Sequence, residues 1–381
     1  MVEFKVTEKN GRANFDAFSN VSEKQQGIKK HNPLTAFFRN VLSKCHLCSG
    51  TFKFRINSRE EIRLNRKSAT HWIKAHDINP PMAKLSNQEL ADKVFYLNCL
   101  KMAQAAKAEG LYGFGYCFEN GKGIAKNKKM AFQLFLKAAE QGHVLAQTKA
   151  GLYYASGTKG VTKDEKLAFG LFQKAAEQGF SWAQMLAGMC LAHGKGVAKD
   201  DEAAARLFEK AAGQGDAESQ LLIGRCYAQG KGVARNEKIA IEWFQKAVAQ
   251  KNVNAYLDLG VFYLYGIGVE KNAKEAVKLF QKAAVKEKSL AWFNLGVCYL
   301  LGAGVRMNRA KAQECFKKVN AEDIALELSR HTAAGSHIAK FNLGILHAQG
   351  LGIPVDKTKA SEWFTKAAEE GNEYAKLARE S

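Results

Sequence analysis

One repeated stretch dominates the chain. The segment beginning at Gly121 reads GKGIAKNKKMAFQLFLKAAEQG, and six related copies follow it. When the copies are aligned on the second glycine of this turn, they lie 36 or 37 residues apart, except that the last follows after 48 residues. A period of this length is typical of proteins that stack one small supersecondary unit many times. The repeat therefore constrains the fold more than any other feature.

Each copy carries the signals of a helix that starts just after the turn. Four residues beyond the turn glycine stands an Asn or Asp, whose side-chain oxygen can accept from the free N–H groups that open a helix. These seven residues are Asn127, Asp164, Asp200, Asn236, Asn272, Asn308 and Asp356. An alanine follows four residues later and a phenylalanine one helical turn after that, as in Ala131 and Phe135. The pattern predicts a helix with one buried stripe.

A second helix is predicted before each turn. Its marker is a glycine six residues ahead of the first glycine of the loop, and the seven copies carry it at Gly115, Gly151, Gly188, Gly224, Gly260, Gly296 and Gly344. Glycine inside a helix costs about 1 kcal/mol relative to alanine, so we expect it to permit a close contact between helices. Each copy is therefore predicted to be an antiparallel pair of helices.

The combined pattern A-x-x-L-G-x-x-Y-x-x-G-x-G-V-x-x-D-x-x-x-A-x-x-x-F-x-K-A-A-x-x-G resembles the Sel-one-like repeat, a relative of the tetratricopeptide repeat. The resemblance covers about residues 106–381 in seven in-phase copies. It implies an all-α fold, a right-handed α-solenoid of seven helix-hairpin repeats. It also implies a non-catalytic adaptor or scaffold that binds protein or peptide partners on a concave surface. Residues 86–105 begin with a capping box of Ser86 and Glu89 and are predicted to cap the solenoid.

Two series of positions are expected to line that concave surface, by analogy with tetratricopeptide repeats. They lie three residues before and one residue after the helix glycine. The first series supplies the predicted partner-binding residues Met185, Leu221, Leu257, Phe293 and Phe341, and the next position adds Asp258, Asn294 and Asn342. The second series reads Leu152, Met189, Arg225, Val261, Val297 and Ile345. We expect a helix or an extended peptide along this groove, although some of these residues would instead pack between neighbouring repeats.

The region before the repeats is predicted to differ in structure. Residues 1–31 are polar without a lasting period, which predicts a mobile tail. Residues 32–85 are predicted to form a small basic module. It contains Cys45, Cys48, His71 and His76 in the spacing C-x2-C-x22-H-x4-H, a ligand set that can surround zinc tetrahedrally. The middle spacer is longer than in the usual finger, so a structural zinc, an incidental thiol pair and lipidation of a cysteine all stay open.

Positive charge is concentrated in the same region. The net charge of the chain is +20, and residues 1–85 hold 16 Lys or Arg against 7 Asp or Glu. A helix here would align most of its basic residues in one stripe. The predicted anion-binding residues are Lys53, Arg55, Arg59, Arg63, Arg66 and Lys67. Nucleic acid or an anionic membrane is therefore the alternative partner, and a solvated charged face is the simpler interpretation.

Twelve additional residues separate the sixth and seventh copies. They fall within the stretch NAEDIALELSRHTAAG. A surface insertion of this length is tolerated at little cost in loop entropy. The other interpretation is a partner-binding feature that involves Asp323, Glu327, Arg330 and His331.

Several protein classes are not supported by the sequence. No run of 18 apolar residues exists, and the start has no apolar segment of the signal-peptide kind. We therefore expect a cytoplasmic monomer, and delivery into a host cell stays compatible with a chain from a bacterial pathogen. The eight cysteines show no recurring pair, which predicts free thiols. The motifs H-E-x-x-H, G-x-S-x-G and the P-loop are missing, so no enzyme is predicted.

Overall fold

A computed structural model describes residues 3–9, 12–18, 51–57, 60–65, 87–158, 160–286, 289–320, 337–351 and 353–380. The chain divides into two compact units, residues 1–174 and residues 175–381. The first unit contains two short hairpins, a leading helix and the first repeats. The second unit contains the remaining repeats and a final short helix. The repeat region is an α-helical solenoid of hairpins, as the sequence predicts.

The region before the repeats contains strands where the sequence suggested a tail and a basic helix. β1 (Glu3–Lys9) pairs antiparallel with β2 (Arg12–Phe18), and β3 (Thr51–Asn57) pairs antiparallel with β4 (Glu60–Asn65). Within the segment that the sequence suggested as a mobile tail, residues 3–18 thus contain a hairpin, and the mobility of residues 1–31 stays a prediction. The helix that would have aligned the basic residues in one stripe is not formed, because residues 51–57 and 60–65 are strands. The alternation of apolar and polar residues in TFKFRIN and EEIRLN is the period of a strand, and the charge spacing concealed it.

Sixteen helices follow within the described residues. They are α1 (Asn87–Gln104), α2 (Ala108–Asn120), α3 (Lys128–Glu140), α4 (Val144–Ser156), α5 (Glu165–Glu177), α6 (Ser181–His193), α7 (Asp201–Gly213), α8 (Ala217–Gln229), α9 (Glu237–Ala249), α10 (Val253–Tyr265), α11 (Ala273–Ala284), α12 (Ser289–Leu301), α13 (Arg309–Lys317), α14 (His337–Gln349), α15 (Lys357–Glu369) and α16 (Glu373–Glu380). In each hairpin from α2–α3 to α14–α15, the first helix is called helix A and the second helix B. Helix α1 precedes the hairpins and α16 follows them.

The predicted caps are all formed. In each of the seven B helices, the Asn or Asp before the helix accepts a hydrogen bond from the backbone N–H three residues later. The N···O distances range from 2.8 Å at Asp200 to 3.1 Å at Asn236. Such a cap stabilises a helix by about 1 kcal/mol relative to alanine. The regular start of every B helix is therefore set locally by the sequence.

The helix glycine and the phenylalanine of helix B meet inside every hairpin. A Cβ atom added at Gly260 would lie 2.5 Å from Cε1 of Phe280, and one added at Gly151 would lie 2.6 Å from the same atom of Phe172. Both phenylalanines are buried, as are the alanines one turn before them. Any side chain at the glycine would push the ring away, so the predicted close contact is confirmed.

Neighbouring repeats of the second unit are joined through buried amides. The Nε2 atom of Gln214 donates to Oε1 of Gln184 at 2.8 Å, and Gln250 donates to Gln220 at the same distance. Gln184 and Gln220 in turn donate to the carbonyls of Ala176 and Ala212. The bonds from Gln184 to Ala176 and from Gln220 to Ala212 cross to the preceding repeat, whereas the two bonds between glutamines lie within repeats three and four. Buried amides must be paired to offset their desolvation, so these hydrogen bonds help to fix the stacking register of repeats two to four.

No helix among the described residues has the combination of length and apolar character needed to cross a membrane.

Candidate protein-interaction face

The partner-binding residues predicted three positions before the helix glycine are not on the surface. Leu221, Phe293 and Phe341 are completely buried, and Met185 and Leu257 are 8% and 6% exposed. The prediction that they line an open groove is therefore wrong. Helix A packs against its own helix B and against the helices of both neighbouring repeats, so only a narrow stripe stays open. Each step of one residue along a helix turns the side-chain direction by about 100°. The position three residues before the glycine therefore points into the core.

The open stripe lies at different positions. We call it the A-face and define it as the residues six and two positions before each helix glycine and one position after it. These spacings of four and three residues place the three side chains in one row. In the second unit, the A-face consists of Trp182, Leu186 and Met189 on α6, Glu218, Leu222 and Arg225 on α8, Asn254, Asp258 and Val261 on α10, Leu290, Asn294 and Val297 on α12, and Ile338, Asn342 and Ile345 on α14.

The A-face of α6 and α8 is apolar and accessible. Trp182 is 37% exposed and Met189 is 39% exposed, and Leu186 lies half-buried between them. Leu222 continues the row on α8 and is also half-buried. The ring of Phe180 makes an edge contact with Trp182 at a centroid distance of 6.3 Å, which holds the indole in place. Large apolar side chains that stay exposed side by side mark a binding surface more often than isolated ones do.

An ion pair borders this apolar row. The Nε atom of Arg225 on α8 donates to Oδ2 of Asp258 on α10 at 2.6 Å, and a terminal guanidinium nitrogen donates to Oδ1 at 3.3 Å. Their side chains are 40% and 24% exposed. Asp258, one of the predicted partner residues, therefore does lie on the A-face. It reaches the surface with its charge already matched by Arg225.

Two of the three A-face positions are closed on α12 and α14, and the first, at Leu290 and Ile338, is half-buried. Asn294 and Asn342 are each 6% exposed, and Val297 and Ile345 are 2% and 3% exposed. The two asparagines were predicted to bond a peptide backbone, but they are buried and unavailable at the surface. Val297 and Ile345 belong to the same buried cluster as Tyr374 and Ala375 of α16.

Helix α16 closes this end by reaching back to α10. The hydroxyl of Tyr374 donates to the carbonyl of Leu264 at 3.5 Å, and its ring makes an edge contact with Tyr265 at 5.5 Å. Lys271 forms an ion pair of 2.7 Å with Glu373 and lies over the ring of Tyr374 at 4.6 Å. This hydrogen bond raises the pKa of Lys271 and lowers the pKa of Glu373. Burial raises the pKa of Tyr265.

Comparison with known families identifies the repeats. The Sel1 repeat matches residues 106–143, 144–180, 183–216, 217–252, 253–284, 289–318 and 337–372. The chain belongs to the Sel1 repeat family. The matched segments follow the hairpins one by one, and the gap before the last segment is the insertion noted above.

Two solved structures show the same Sel1 architecture. The first is c5321, a protective antigen of uropathogenic Escherichia coli with an SLR fold, at 31% identity and a TM-score of 0.55. The alignment covers 74% of this chain and 58% of that protein, so the chain spans little more than half of it. The second is a Sel1 repeat protein from Oxalobacter formigenes, at 27% identity and a TM-score of 0.50, covering 82% and 84% of the two chains. No curated protein gives a match.

Three groups of predicted residues lie wholly or partly outside the part of this Sel1 repeat protein that the structure describes. The zinc ligands Cys45, Cys48, His71 and His76 lie outside the described residues, as do Asp323, Glu327, Arg330 and His331 of the insertion. Of the basic set, Arg59, Arg66 and Lys67 also lie outside. The remaining three are on the second hairpin, where Lys53 is opposite Arg63 and Arg55 is opposite Glu61. Zinc and anion binding stay predictions, and within the described residues no cluster of His, Cys, Asp or Glu suits a metal ion.

The structure also points to residues that the sequence analysis missed. Trp182 and Leu186 were not among the predicted partner residues, and Met189 appeared only in the second series. A signal was present, because these three residues are large and apolar at spacings of four and three on one helix. The other copies carry polar or charged residues at several of the same positions, such as Glu218 and Asp258.

Proposed function

We propose that this Sel1 repeat protein is a non-catalytic scaffold that binds a protein partner on the A-face of α6 and α8. The observation that carries this proposal is the exposed pair Trp182 and Met189 on one side of a single helix. Other large apolar residues that are exposed lie one to an element: Val285, Met307 and Val355 are in loops, and Met130, Leu167 and Leu377 are on three different helices.

The chemistry of this face suits an amphipathic segment of the partner. Trp182, Leu186, Met189 and Leu222 offer a row of apolar contacts, and methionine adapts its shape to different ligands. Tryptophan and arginine dominate the energetics of many interfaces, and Arg225 lies at the edge of the row. A helix that places apolar residues three or four positions apart would match this spacing.

A comparison of three immobilised full-length proteins tests the proposal. They are the wild type, the double variant Trp182→Ala/Met189→Ala and the control Met307→Ala, which removes an exposed methionine away from the A-face. Each is incubated with lysate of the source organism, and bound proteins are compared by quantitative mass spectrometry. We expect at least one protein that the wild type and the control retain and the double variant loses. Equal recovery on all three would contradict the proposal, provided that circular dichroism shows unchanged helicity.

We propose as a second candidate that the basic hairpin β3–β4 contacts nucleic acid. Supporting it, the register of the hairpin pairs Lys53 with Arg63, so two basic residues share one position of the ladder. Binding of the full chain to a labelled DNA duplex should then fall steeply with salt, because counterions are released from the phosphates. Lys53→Glu/Arg63→Glu should abolish binding, and the control Lys210→Glu should not. Retention by the hairpin variant, or binding only to vesicles of anionic lipid, would overturn this candidate.

Zinc ligation by Cys45, Cys48, His71 and His76 is also our proposal and has a direct test. Elemental analysis of the purified chain should find one zinc per molecule, and Cys45→Ser/Cys48→Ser should remove it. A wild type without stoichiometric zinc would end the idea.

A further inference from the structure

The contacts of α16 reach beyond the neighbouring repeat, as does the contact of Tyr265 on α10 with His337 on α14. In a solenoid, each repeat touches only its neighbours. Between α8 and α10, for example, contacts such as Arg225 with Asp258 join residues 33 apart. In contrast, Tyr374 bonds to Leu264 and Glu373 bonds to Lys271, over separations of 110 and 102 residues. The hairpin α12–α13 lies between these segments in sequence, so the contacts cannot result from nearest-neighbour stacking.

Helix α16 begins as if it were the helix A of an eighth repeat. Asn372 takes the place that Asp216 has before α8, and its side chain accepts from the N–H of Ala375 at 2.9 Å. Ala375 is completely buried, like Ala255 and Ala291 at the same position of α10 and α12. Counted from Asn372, Glu380 occupies the position of the helix glycine.

The first two residues of α16 make contacts of the kind a bound peptide makes. The Glu373 carboxylate pairs with the Lys271 ammonium. The Tyr374 ring lies between the Lys271 ammonium, Tyr265 and Phe341, and the Tyr374 hydroxyl bonds to a main-chain carbonyl of α10. An acidic residue followed by an aromatic residue is thus recognised by a cation, two rings and a carbonyl.

Two further residues add to these contacts, because Asn372 donates to the carbonyl of His337 and Ala378 packs partly buried against the same core. Beyond Tyr374 and Ala375, Lys376 and Leu377 are exposed, and Leu377 shows 57% of its surface. Short helical segments are marginal in water by themselves, so the start of α16 depends on these tertiary contacts. Its exposed face makes no such contacts at Lys376 and Leu377, and elements with fewer buried contacts open locally at lower cost.

We propose that α16 is a built-in ligand of its own solenoid. Its Glu373-Tyr374 pair fills a site on α10 and α14 that accepts an acidic-aromatic pair from the helix of a partner protein, and the partner must displace α16 to bind. This site is separate from Trp182 and Met189, so it stands or falls independently of the function proposed for α6 and α8.

The test uses the peptide GNEYAKLARES, which reproduces residues 371–381, labelled with a fluorophore. A chain that stops at Asn372 should bind this peptide saturably. The full-length chain should bind the peptide at least roughly tenfold more weakly, because its own α16 competes at a high effective concentration. A peptide with alanine in place of Tyr374 should not bind the shortened chain.

Charge exchange makes the test specific. The shortened chain with Lys271→Glu should lose the natural peptide and should recover binding when the peptide carries lysine in place of Glu373. Should the shortened chain fail to fold, the full-length variant Tyr374→Ala retains every other residue but weakens α16 as a competitor, and it should bind the natural peptide more tightly than the wild type does. The proposal is overturned if the folded shortened chain ignores the peptide, if it binds the alanine peptide equally well, or if Tyr374→Ala binds no better than the wild type.

Discussion

The A-face has opposite character at the two ends of the second unit. On α6 it exposes Trp182 and Met189, whereas on α14 the equivalent positions include Asn342 and Ile345, which are almost completely buried. The hairpins themselves are nearly the same at both ends, with the same cap, the same alanine and the same ring against the helix glycine. The difference therefore comes from what covers the helix and not from how the helix is built.

This contrast separates two scales of information in a repeat protein. The hairpin is specified locally, because its caps and its glycine-ring contact lie within about one repeat length. The closed end, in contrast, shares its buried cluster with Tyr374, which contacts residues three hairpins earlier in the chain.

The largest effect is expected when a core residue of the closed end is removed. Phe293 is completely buried, so Phe293→Ala should destabilise the second unit by about 3–5 kcal/mol through the cavity it leaves. At the open end, Met189→Ala should change stability by no more than about 0.5 kcal/mol. Urea unfolding followed by circular dichroism measures both. If the two substitutions had similar effects, the two ends would not differ in burial as described.

A smaller loss is expected from Asn372→Ala. The side chain of Asn372 is 1% exposed, caps α16 and donates to the carbonyl of His337 at 3.4 Å. Removing it should cost about 1–3 kcal/mol, because buried polar groups lose their partners. The control Asn272→Ala removes an N-cap whose hydrogen bond is exposed to solvent, and it should cost about 1 kcal/mol. Hydrogen exchange should also accelerate at the end of α10 in Asn372→Ala only, and equal exchange in both variants would argue against closure by α16.

A pH effect is expected at the same closed end. Burial lowers the pKa of His337. The charge of Lys340 lowers this pKa further, and the charge of Glu370 partly opposes both effects. A histidine whose folded-state pKa lies below the unfolded value of about 6.5 is protonated more readily in the unfolded chain. Its contribution to stability is therefore complete above that value and is lost as the pH falls through the folded-state pKa.

Amide exchange between pH 7 and pH 5 checks this expectation. The His337 ring contacts Tyr265 and lies 3.3 Å from Nδ2 of Asn372, so protonation should loosen α14 and α16 together. His337→Gln should flatten the pH dependence, whereas His193→Gln, on an exposed residue of α6, should leave it unchanged. A wild-type profile that is already flat would contradict the assignment.

Much of this molecule could be predicted from its sequence, and the errors share one cause. The seven caps, the alanines and phenylalanines of the B helices and the glycine contact were predicted correctly because each depends on residues close in sequence. The burial of Leu221 and Phe293 was missed because the exposed sector of helix A is only about one side chain wide. An analogy with tetratricopeptide repeats that is shifted by one position therefore selects core residues. The closure by Tyr374 was missed because no local pattern encodes a contact over 110 residues. The two hairpins were missed because charge spacing was given more weight than the alternation of apolar residues.

The smallest effect is expected at the ion pair that borders the open end. Arg225 and Asp258 are partly exposed, and pairs of this kind contribute about 0–1 kcal/mol. A double-mutant cycle with Arg225→Ala and Asp258→Ala should give a coupling energy in that range. The coupling should nearly vanish in 1 M salt, where the Debye length is about 3 Å.

The two possible outcomes have different meanings for the A-face. A low, salt-sensitive coupling would show that water reaches this part of the A-face, so a partner could reach it too. A coupling above about 2 kcal/mol that persists in salt would mean that the pair is desolvated. The A-face of α8 would then be as closed as that of α14, and the contrast between the two ends would fail.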